Sequence, residues 1–281
     1  LSSVIIVRLP FPLRSAAMEE KKSASANVSA FINEYAVPEM LIKLRQGVGR
    51  LIRCETDTGL ISVLDTRAVR SRYSERVQAV LSKYGKCDIL INGAGGNNPR
   101  CTTLHEEYET GDETAEDFLT FFNIEEKGFN FVFDLNLKGV LLPSQVFMPD
   151  MLGREGCCVL NISSMNAYRP LTKIPAYSAA KAAVSNFTSW LAVHFAKEGI
   201  RVNAIAPGFF VTNQNRSLLF NEDGTPTPRT GKILRSTPMG RFGEAEELLG
   251  TVEWLLDATK SGFVTGITVP VDGGFSAYSG V

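Results

Sequence analysis

A tyrosine and a lysine in the second half of the chain have residue types and a spacing that suit proton transfer. Tyr177 and Lys181 lie four positions apart in a stretch with helical periodicity, so both side chains project from one face of a helix. An ammonium group beside a phenol stabilises the phenolate and lowers the pKa of the phenol, which lets the tyrosine exchange a proton near neutral pH. Taken alone, such a pair is more often an ordinary pair on a helix surface.

Ser164 adds a third group to this pair. It lies thirteen residues before Tyr177, directly after the apolar run CCVLNIS that predicts a buried strand. From the end of that strand its hydroxyl can hydrogen-bond the same carbonyl oxygen that Tyr177 protonates. The three residues together predict a site that holds an alkoxide as it forms.

Strands and helices alternate along the part of the chain that carries these residues. Short apolar runs predict buried strands at 88–92, 157–163, 200–205 and 269–271. Helical periodicity predicts helices at 129–151, 176–198 and 245–256, the second of which ends at Gly199. This alternation predicts an α/β fold, a doubly wound parallel sheet with helices on both faces. Ligands bind beyond the C-terminal strand ends of such sheets, where the polar or loop-forming residues are Asn92, Ser163, Ser164, Pro207 and Thr212.

Composition and charge limit the function classes that the chain can serve. Its 281 residues, 44% of them hydrophobic, can bury one large core or two modest ones. A formal net charge of -1 gives no broad basic field, so nucleic-acid binding is not expected. The five cysteines lack the spacing of metal ligands, which predicts reduced thiols and no metal site. No run approaches the roughly 18 apolar residues of a membrane span, and no signal peptide is recognisable, so we expect a cytoplasmic protein.

Five motifs occur in an order and at spacings that resemble the short-chain dehydrogenase/reductase family. They are N-G-A-G at 92–95, Asn136 within L-N-L-K-G, Ser164, Tyr177 with Lys181, and P-G-x-x-x-T at 207–212. The resemblance covers residues 84–281 and implies a Rossmann-like fold that binds NAD or NADP, without indicating which. It also implies a homo-oligomer, a tetramer formed through long helices that include the one carrying Tyr177.

The resemblance implies a role for each motif residue. Tyr177 would be the general acid and base, and Ser164 would orient the substrate carbonyl. Lys181 would hold the nicotinamide ribose and tune Tyr177, and Asn136 would anchor a water molecule in a proton relay. The residues implied to contact the cofactor are Asn92, Ala94, Gly95, Tyr177, Lys181, Pro207, Gly208 and Thr212.

Longer segments are similar to D-mannonate oxidoreductase-type members of that family from bacteria. These segments are NGAGGNNP, NISSMNAYRPLTKIPAYSAAK, APGFFVTNQNR, TPMGRFG and FSAYSGV. The similarity implies a small sugar-acid substrate, whose carboxylate needs a cation and whose hydroxyls need donors or acceptors. Each candidate partner is equally a solvated loop residue; the candidates are Asn97, Asn98, Asn166, Arg169, Lys173, Gln214, Asn215 and Arg216.

The turn that binds the cofactor pyrophosphate in this family is not recognisable in the sequence. The family opens with a strand, a glycine-rich turn and a helix, because only glycine lets the backbone approach the phosphates closely. Here the strand predicted at Val4–Val7 runs into Leu9-Pro10-Phe11-Pro12, which has two prolines and no glycine. The residue that selects NAD or NADP is equally untraceable, and the N-terminal strands of the usual fold are missing or replaced.

Residues 5–81 resemble a different family, the C-terminal end of Rad3-like, damage-inducible ATP-dependent helicases. The phrase QGVGRLIR carries the resemblance, and in those helicases its glutamine and arginines, here Gln46, Arg50 and Arg53, face bound ATP. An ordinary amphipathic helix with two arginines accounts for the same phrase. The resemblances divide the chain into a helicase-like fragment at 1–81 and a dehydrogenase part at 82–281, with the junction between Asp65 and Tyr84.

Three functions follow from these observations and stay open at this point. The first is an NAD(P)-dependent oxidoreductase acting on a sugar acid. The second is a nucleotide-binding helicase accessory fragment, although the sequence has no glycine-lysine phosphate loop and no acidic magnesium motif, so ATP hydrolysis is not expected. The third is a composite of two unrelated coding segments without a joint activity.

Overall fold

The structure is a computed structural model, and it describes residues 2–6, 16–41, 59–63, 87–212 and 215–280. The chain divides into two compact units. The first unit comprises Leu1–Ala94 and Gly139–Leu152, and the second unit comprises Gly95–Lys138 and Gly153–Val281. The sequence division between residues 81 and 82 stays a prediction, since the residues around it lie outside the described part.

The strands of the described part pair in parallel, as the sequence predicts. The pairs β1 with β2, β4 with β5 and β5 with β6 of the following set are all parallel. The strands are β1 (Ser2–Ile6), β2 (Gly59–Val63), β3 (Ile89–Asn92), β4 (Cys158–Ile162), β5 (Arg201–Pro207) and β6 (Thr268–Val271).

Helices separate most of these strands in the sequence. The α-helices are α1 (Ala16–Ala24), α2 (Val28–Phe31), α3 (Glu126–Asn136), α4 (Lys138–Phe147), α5 (Pro175–Phe195), α6 (Arg216–Leu219), α7 (Pro228–Arg235), α8 (Leu249–Leu256) and α9 (Ala258–Ser261). A π-helix, Ile32–Ala36, follows α2 and continues into helical residues 37–41. Short 3-10 helices occupy Pro99–Cys101, Asp112–Thr114, Phe121–Asn123, Met148–Met151, Met165–Ala167, Ala196–Glu198 and Ala245–Leu248.

The first unit contains a two-stranded sheet of β1 and β2, in which Ser2 lies opposite Gly59 and Ile6 opposite Val63. The strand predicted near the start of the chain is therefore present. Its partner β2 lies within the segment that resembles a helicase, and the dehydrogenase motifs begin only at β3. Leu90 and Ile91 of β3 are buried, which agrees with the buried strand that the apolar run at 88–92 predicts.

The sheet of the second unit positions the candidate site. Cys158 of β4 lies opposite Arg201 of β5, and Ala204 of β5 lies opposite Thr268 of β6. Nearly all of β5 is buried, because strands covered on both faces require an almost continuous run of apolar side chains. The C-terminal ends of β4 and β5 therefore lie side by side, and the residues after them meet at one edge.

Helix α5 connects β4 to β5 and carries the predicted tyrosine and lysine. Pro175 stands at its first position, where the fixed backbone angle suits a helix start and no amide donor is needed. Ala176 and Ala180 are buried in a cluster with Cys101 and Val132, so small side chains let α5 pack against α3. The helix and its 3-10 extension end at Gly199, as the sequence predicts. Gly199 has a φ of 75°, the left-handed conformation that is common just after a helix.

Two predicted helices are each divided in the structure. The helix predicted at 129–151 is α3 followed by α4, and Asn136 lies at the end of α3 rather than in the middle of one helix. Its side-chain amide donates to the carbonyl of Val132 at 2.8 Å, and side chains that bond nearby backbone groups compete with regular helix. The helix predicted at 245–256 likewise starts as a 3-10 turn before α8 begins.

The cysteines of the described part form no disulfide bond. Cys101, Cys157 and Cys158 are buried, Cys87 is half-buried, and Cys54 lies outside the described residues. Burial raises the pKa of the Cys158 thiol to about 11. No helix of the described part is both long enough and apolar enough to cross a membrane.

Candidate active site

Ser164 lies directly after β4, where the sequence places it. It is buried and caps the 3-10 turn Met165–Ala167, with the backbone N–H of Asn166 donating to its hydroxyl oxygen at 3.3 Å. An extended backbone at Ser164 and a helical turn after it are the usual requirements of an N-cap. The cap fixes the serine side chain at the edge of the sheet.

Tyr177 lies in the first turn of α5, and the side chain of Ser164 is near enough to act on its pKa. Burial raises the pKa of Tyr177 above its ordinary value, and the Ser164 side chain opposes that increase only in part. The structure therefore brings together the two hydroxyl groups that the sequence assigns to one carbonyl oxygen.

Lys181 lies one turn after Tyr177 and is almost completely buried. Its ammonium donates to the carbonyl oxygen of Ile162 at 2.8 Å and lies 5.8 Å from the centroid of the Tyr177 ring. Burial lowers the pKa of Lys181 to about 8, because a charged ammonium loses its hydration in the protein interior. The lysine reaches the end of β4 from α5.

The expectation of a lowered pKa at Tyr177 is wrong for this arrangement. The pKa of Tyr177 is raised, with burial as the largest cause, and the Ser164 side chain opposes the increase only in part. The Lys181 ammonium lies toward the ring and its hydrogen bond goes to a backbone carbonyl, so its attraction for the phenolate does not outweigh burial. The spacing of two residues on a helix predicts that their side chains are close. It does not predict whether burial or a neighbouring charge has the larger effect on a pKa.

Asn136 holds the glycine loop that follows β3. Its amide nitrogen donates to the carbonyl of Gly96 at 2.8 Å, and its amide oxygen accepts the N–H of Gly96 at 3.3 Å. A Cβ on Gly95 would lie 2.8 Å from Nζ of Lys181 and 3.0 Å from Oδ1 of Asn136, so only glycine fits between them. Asn136 therefore positions the loop; its role as an anchor for a water molecule stays a prediction.

Ser163 and Ser185 fasten β4 to α5 beneath the candidate site. The hydroxyls of Ser163 and Ser185 are 2.7 Å apart, and Ser163 also donates to the carbonyl of Lys181 at 3.2 Å. The sequence predicts Ser163 at the strand edge, whereas Ser185 is not predicted. The available signal is its spacing, because Ser185 lies four residues after Lys181 on the same helix face.

The loop at 207–212 is held by the C-terminal segment. The N–H of Gly208 donates to the carbonyl of Val271 at 2.9 Å, and a Cβ on Gly208 would lie 2.6 Å from Cα of Asp272. The carboxylate of Asp272 accepts the backbone N–H groups of Gly274 and Ser276, each at 2.9 Å. Asp272 is a positioning residue that no sequence prediction singles out, although the two glycines after it, Gly273 and Gly274, are typical of a turn.

Two residues implied to contact the cofactor belong to the first unit. The side-chain amide of Asn92 donates to Oγ of Ser144 at 3.2 Å, and both residues are buried. Ala94 is also buried. Cofactor contact by these two residues stays a prediction, as it does for Thr212, whose N–H donates to Oδ1 of Asn215 at 2.8 Å.

Three of the eight polar residues proposed to bind substrate are bonded within their own loops. Asn97 donates to Oγ1 of Thr102 at 2.9 Å, and Asn215 donates to the carbonyl of Phe210 at 2.8 Å. The amide oxygen of Asn98 accepts the N–H of Arg100 at 2.9 Å. These side chains stabilise turns, and substrate binding by them stays a prediction.

The basic candidates differ in their surroundings. Nε of Arg169 donates to the carbonyl of Ser276 at 3.1 Å, and the Arg216 guanidinium lies 5.6 Å from the centroid of the Phe220 ring. Lys173 has a φ of 68°, the left-handed region that residues other than glycine seldom adopt. Contact between these cations and a substrate carboxylate stays a prediction.

The helicase-like candidates and part of the substrate set lie outside the described residues. These are Gln46, Arg50, Arg53 and Gln214, together with the proposed junction between Asp65 and Tyr84. Within the described residues, His, Cys, Asp and Glu side chains form no group of three that could hold a metal ion.

Two family models match the chain. Residues 64–276 match the model described as enoyl-(acyl carrier protein) reductase, a short-chain dehydrogenase/reductase model, and residues 1–84 match a helicase C-terminal domain model. An uncharacterized oxidoreductase from Haemophilus influenzae is 63% identical over 198 residues, which cover 70% of this chain and 69% of that protein.

Solved structures with the same fold extend the comparison. A putative D-mannonate oxidoreductase from Haemophilus influenzae with bound NAD has a TM-score of 0.74 and 52% identity, and the match covers 86% of this chain and 84% of that one. A gluconate 5-dehydrogenase from Burkholderia cenocepacia, in complex with NADP and tartrate, has a TM-score of 0.64 and 26% identity, with coverages of 82% and 80%.

Proposed function

This chain belongs to the short-chain dehydrogenase/reductase family, and we propose that it is an NAD(P)-dependent oxidoreductase that interconverts a hydroxyl and a ketone on a sugar acid. The substrate that we favour is of the D-mannonate and D-fructuronate type. The observation that carries the proposal is the convergence of Ser164, Tyr177 and Lys181 at the end of β4. The similarity to a putative D-mannonate oxidoreductase supports the choice of substrate.

In this proposal Tyr177 and Ser164 handle the proton of the reacting oxygen. The raised pKa keeps the Tyr177 hydroxyl protonated at neutral pH, so it can donate its proton to a carbonyl oxygen during reduction. Ser164 donates a hydrogen bond to the same oxygen and stabilises the charge that develops on it. In the oxidation direction the deprotonated form of Tyr177, the phenolate, accepts the proton of the substrate hydroxyl, so this direction is favoured at higher pH.

Lys181 stabilises the phenolate that remains after Tyr177 has donated its proton. Its pKa of about 8 lies above neutrality, so the ammonium is largely charged at pH values near or below 7. In a buried site the attraction between the ammonium and the new phenolate is stronger than in water. The lysine therefore favours the product of the proton transfer rather than the resting phenol.

The residues of the site fit the nicotinamide half of a dinucleotide. Bound NAD(P) would supply or accept the hydride that the reaction requires. The buried ammonium of Lys181 and the hydroxyl of Tyr177 are donors suited to the hydroxyls of a ribose. For the pyrophosphate, residues 7–12 contain no glycine, so we expect weaker cofactor binding than a glycine-rich turn would give.

The test is to titrate the purified chain with NADH and with NADPH by calorimetry, and then to follow oxidation of the reduced cofactor with D-fructuronate present. The proposal expects saturable binding of at least one cofactor and turnover that depends on D-fructuronate. A folded sample that binds neither cofactor, or that binds without turnover, would overturn it. Tyr177→Phe is the matched control, because it keeps the ring and removes the proton donor.

A composite chain is the second candidate, and the helicase C-terminal match at residues 1–84 favours it. In that case a helicase-like fragment at 1–81 precedes a dehydrogenase part at 82–281, and the two have no joint activity. The same titration separates the candidates, since a composite without a working cofactor site binds neither NADH nor NADPH. The tetramer that the resemblance implies stays a prediction, and so does the cytoplasmic location that the sequence analysis expects.

A further inference from the structure

Asn166 stands out among the polar residues next to Ser164. It is 4% exposed, and its amide oxygen is buried without a hydrogen-bond partner. A buried acceptor that receives no hydrogen bond has lost its hydration without compensation, so folded proteins seldom keep one. A donor that arrives with a bound molecule would remove this cost.

The backbone of Asn166 is fixed relative to the catalytic serine. Its N–H donates to Oγ of Ser164 at 3.3 Å, and the N–H of Ala167 donates to the carbonyl of Ser164 at 2.9 Å. The next two residues, Tyr168 and Arg169, both donate their N–H groups to the carbonyl of Met165 at 3.0 Å. The turn that carries the unpartnered oxygen is therefore rigid, and it packs against α5, the helix of Tyr177.

Asn166 differs from the other asparagines proposed to bind substrate. Asn97 and Asn215 both use their side chains to close loops, so a substrate would have to replace bonds that already exist. The Asn166 oxygen needs no such exchange, because no donor occupies it. Acceptance of a new hydrogen bond at this atom is a net gain, whereas at the other two it is a substitution.

We propose that Oδ1 of Asn166 accepts a hydrogen bond from a substrate hydroxyl close to the reacting carbon, and that Asn166 thereby selects polyhydroxy acids over their deoxy analogues. The inference rests on the proposed function, since it requires a substrate whose oxidised carbon lies at Ser164 and Tyr177. A sugar acid carries a hydroxyl on each neighbouring carbon of its backbone, which supplies the donor. A substrate without that hydroxyl leaves the oxygen unpartnered and binds more weakly.

The experiment compares D-mannonate with its 4-deoxy and 6-deoxy analogues, which lack a hydroxyl next to the reacting carbon, in the full chain and in Asn166→Leu, which keeps the volume and removes the acceptor. In the wild-type chain we expect kcat/KM to be about 10- to 100-fold lower for one deoxy analogue. In Asn166→Leu, kcat/KM for D-mannonate should fall to about the value that the wild-type chain has for that analogue. The kcat/KM of Asn166→Leu for the analogue should differ little from that of the wild-type chain. Equal losses on all three substrates, or no discrimination by the wild-type chain, would overturn the inference.

Asn203→Leu is the matched control for a merely structural effect. Asn203 is also fully buried, but its nitrogen donates to the carbonyl of Val264 at 2.9 Å and its oxygen accepts the N–H of Ile267 at 3.2 Å. We expect Asn203→Leu to lower Tm and to leave the discrimination between D-mannonate and its deoxy analogue unchanged. Asn166→Leu should instead leave Tm unchanged or raise it.

A binding readout keeps this inference separate from the proposed function. The increase in Tm on adding D-mannonate is measured for the wild-type chain and for Asn166→Leu, with and without reduced cofactor. A smaller increase in Asn166→Leu supports the inference even in a chain without turnover, where the proposed function fails. The same increase in both proteins, zero included, overturns the inference whatever the activity.

Discussion

Two groups of polar side chains in the second unit were predicted with the same kind of reasoning and are placed differently. Ser164, Tyr177 and Lys181 come from the end of β4 and from α5, and the structure brings them together. Asn97 and Asn215 come from loops, and their side chains bond neighbouring loop atoms. The difference teaches that a helix or strand fixes the direction of a side chain, whereas a loop asparagine often satisfies its own turn.

The strongest way to break this comparison is to remove the phenol hydroxyl. Tyr177→Phe should lower kcat about 10²- to 10⁴-fold, because that hydroxyl is the only assigned proton donor to the reacting oxygen. Turnover is measured with D-fructuronate and the cofactor that binds, and circular dichroism checks that the variant is folded. Activity within a few fold of wild type would show that the residues on β4 and α5 do not carry the chemistry.

The charge of Lys181 gives a prediction about stability. The pKa of Lys181 is about 8 in the folded chain and 10.5 when unperturbed, so between these pH values the unfolded state binds one more proton. The free energy of unfolding should therefore rise with pH across this interval, by on the order of 3 kcal/mol from this residue. Urea denaturation at a series of pH values measures it.

Lys181→Met is the control for that titration. Other groups also titrate in this range, so the quantity compared is the slope of the unfolding free energy against pH in the two proteins. The variant should lose most of the rise between pH 8 and 10.5. Equal slopes in wild type and variant would mean that the lysine is solvated rather than buried.

A substitution in the glycine loop after β3 also tests the group of Ser164, Tyr177 and Lys181, with a smaller expected effect. In Gly95→Ala the new Cβ would lie 2.8 Å from Nζ of Lys181 and 3.0 Å from Oδ1 of Asn136. We expect kcat/KM to fall about 10- to 100-fold and the free energy of unfolding to fall by about 1–3 kcal/mol, because both side chains must move. Steady-state kinetics and urea denaturation measure the two effects.

Gly250→Ala is the matched control for a glycine substitution. Gly250 lies near the start of α8, and nothing lies within 4 Å of the Cβ that alanine would add. The variant should keep its activity and gain about 0.4–1 kcal/mol of stability from the reduced freedom of the unfolded chain. A Gly95→Ala protein that behaves like Gly250→Ala would contradict the close packing around Lys181.

The smallest expected effect belongs to the loop group. Arg169 is exposed and donates to the carbonyl of Ser276 at 3.1 Å, so Arg169→Ala should change KM for D-mannonate less than about 10-fold. Arg241→Ala, at a surface arginine paired with Glu247, is the comparison variant. An increase in KM of about 100-fold in Arg169→Ala alone would place the arginine at the substrate carboxylate and remove the contrast between the two groups.

The sequence predicts α5 and every strand of the described part except β2 to within a few residues, because their signals are local. Apolar runs and Gly199 are sufficient to place the β4–α5–β5 crossover. The division between α3 and α4 is not visible in the periodicity, since it occurs at Asn136, whose side chain bonds both to the carbonyl of Val132 and to Gly96, which is 40 positions away. Contacts at that separation need the folded chain.

The electrostatics of the site show a second limit of prediction. Spacing places Lys181 near Tyr177, but the direction of the tyrosine's pKa depends on burial, which residue spacing does not contain. The unpartnered oxygen of Asn166 is a similar case. The sequence offers Asn166 as one of eight polar candidates, and only the burial of its amide oxygen distinguishes it from the others.

The β4–α5–β5 crossover described above also has a consequence for how the site assembles during folding. Ser164, Tyr177 and Lys181 are separated by 17 positions at most, and the hydrogen bonds that fix them join residues 162–185. Contacts between residues close in sequence cost little entropy of loop closure, so they tend to form early in folding. We therefore expect the catalytic residues to reach their mutual geometry early in folding, which would let this segment keep its arrangement when the sequence upstream of β3 is exchanged.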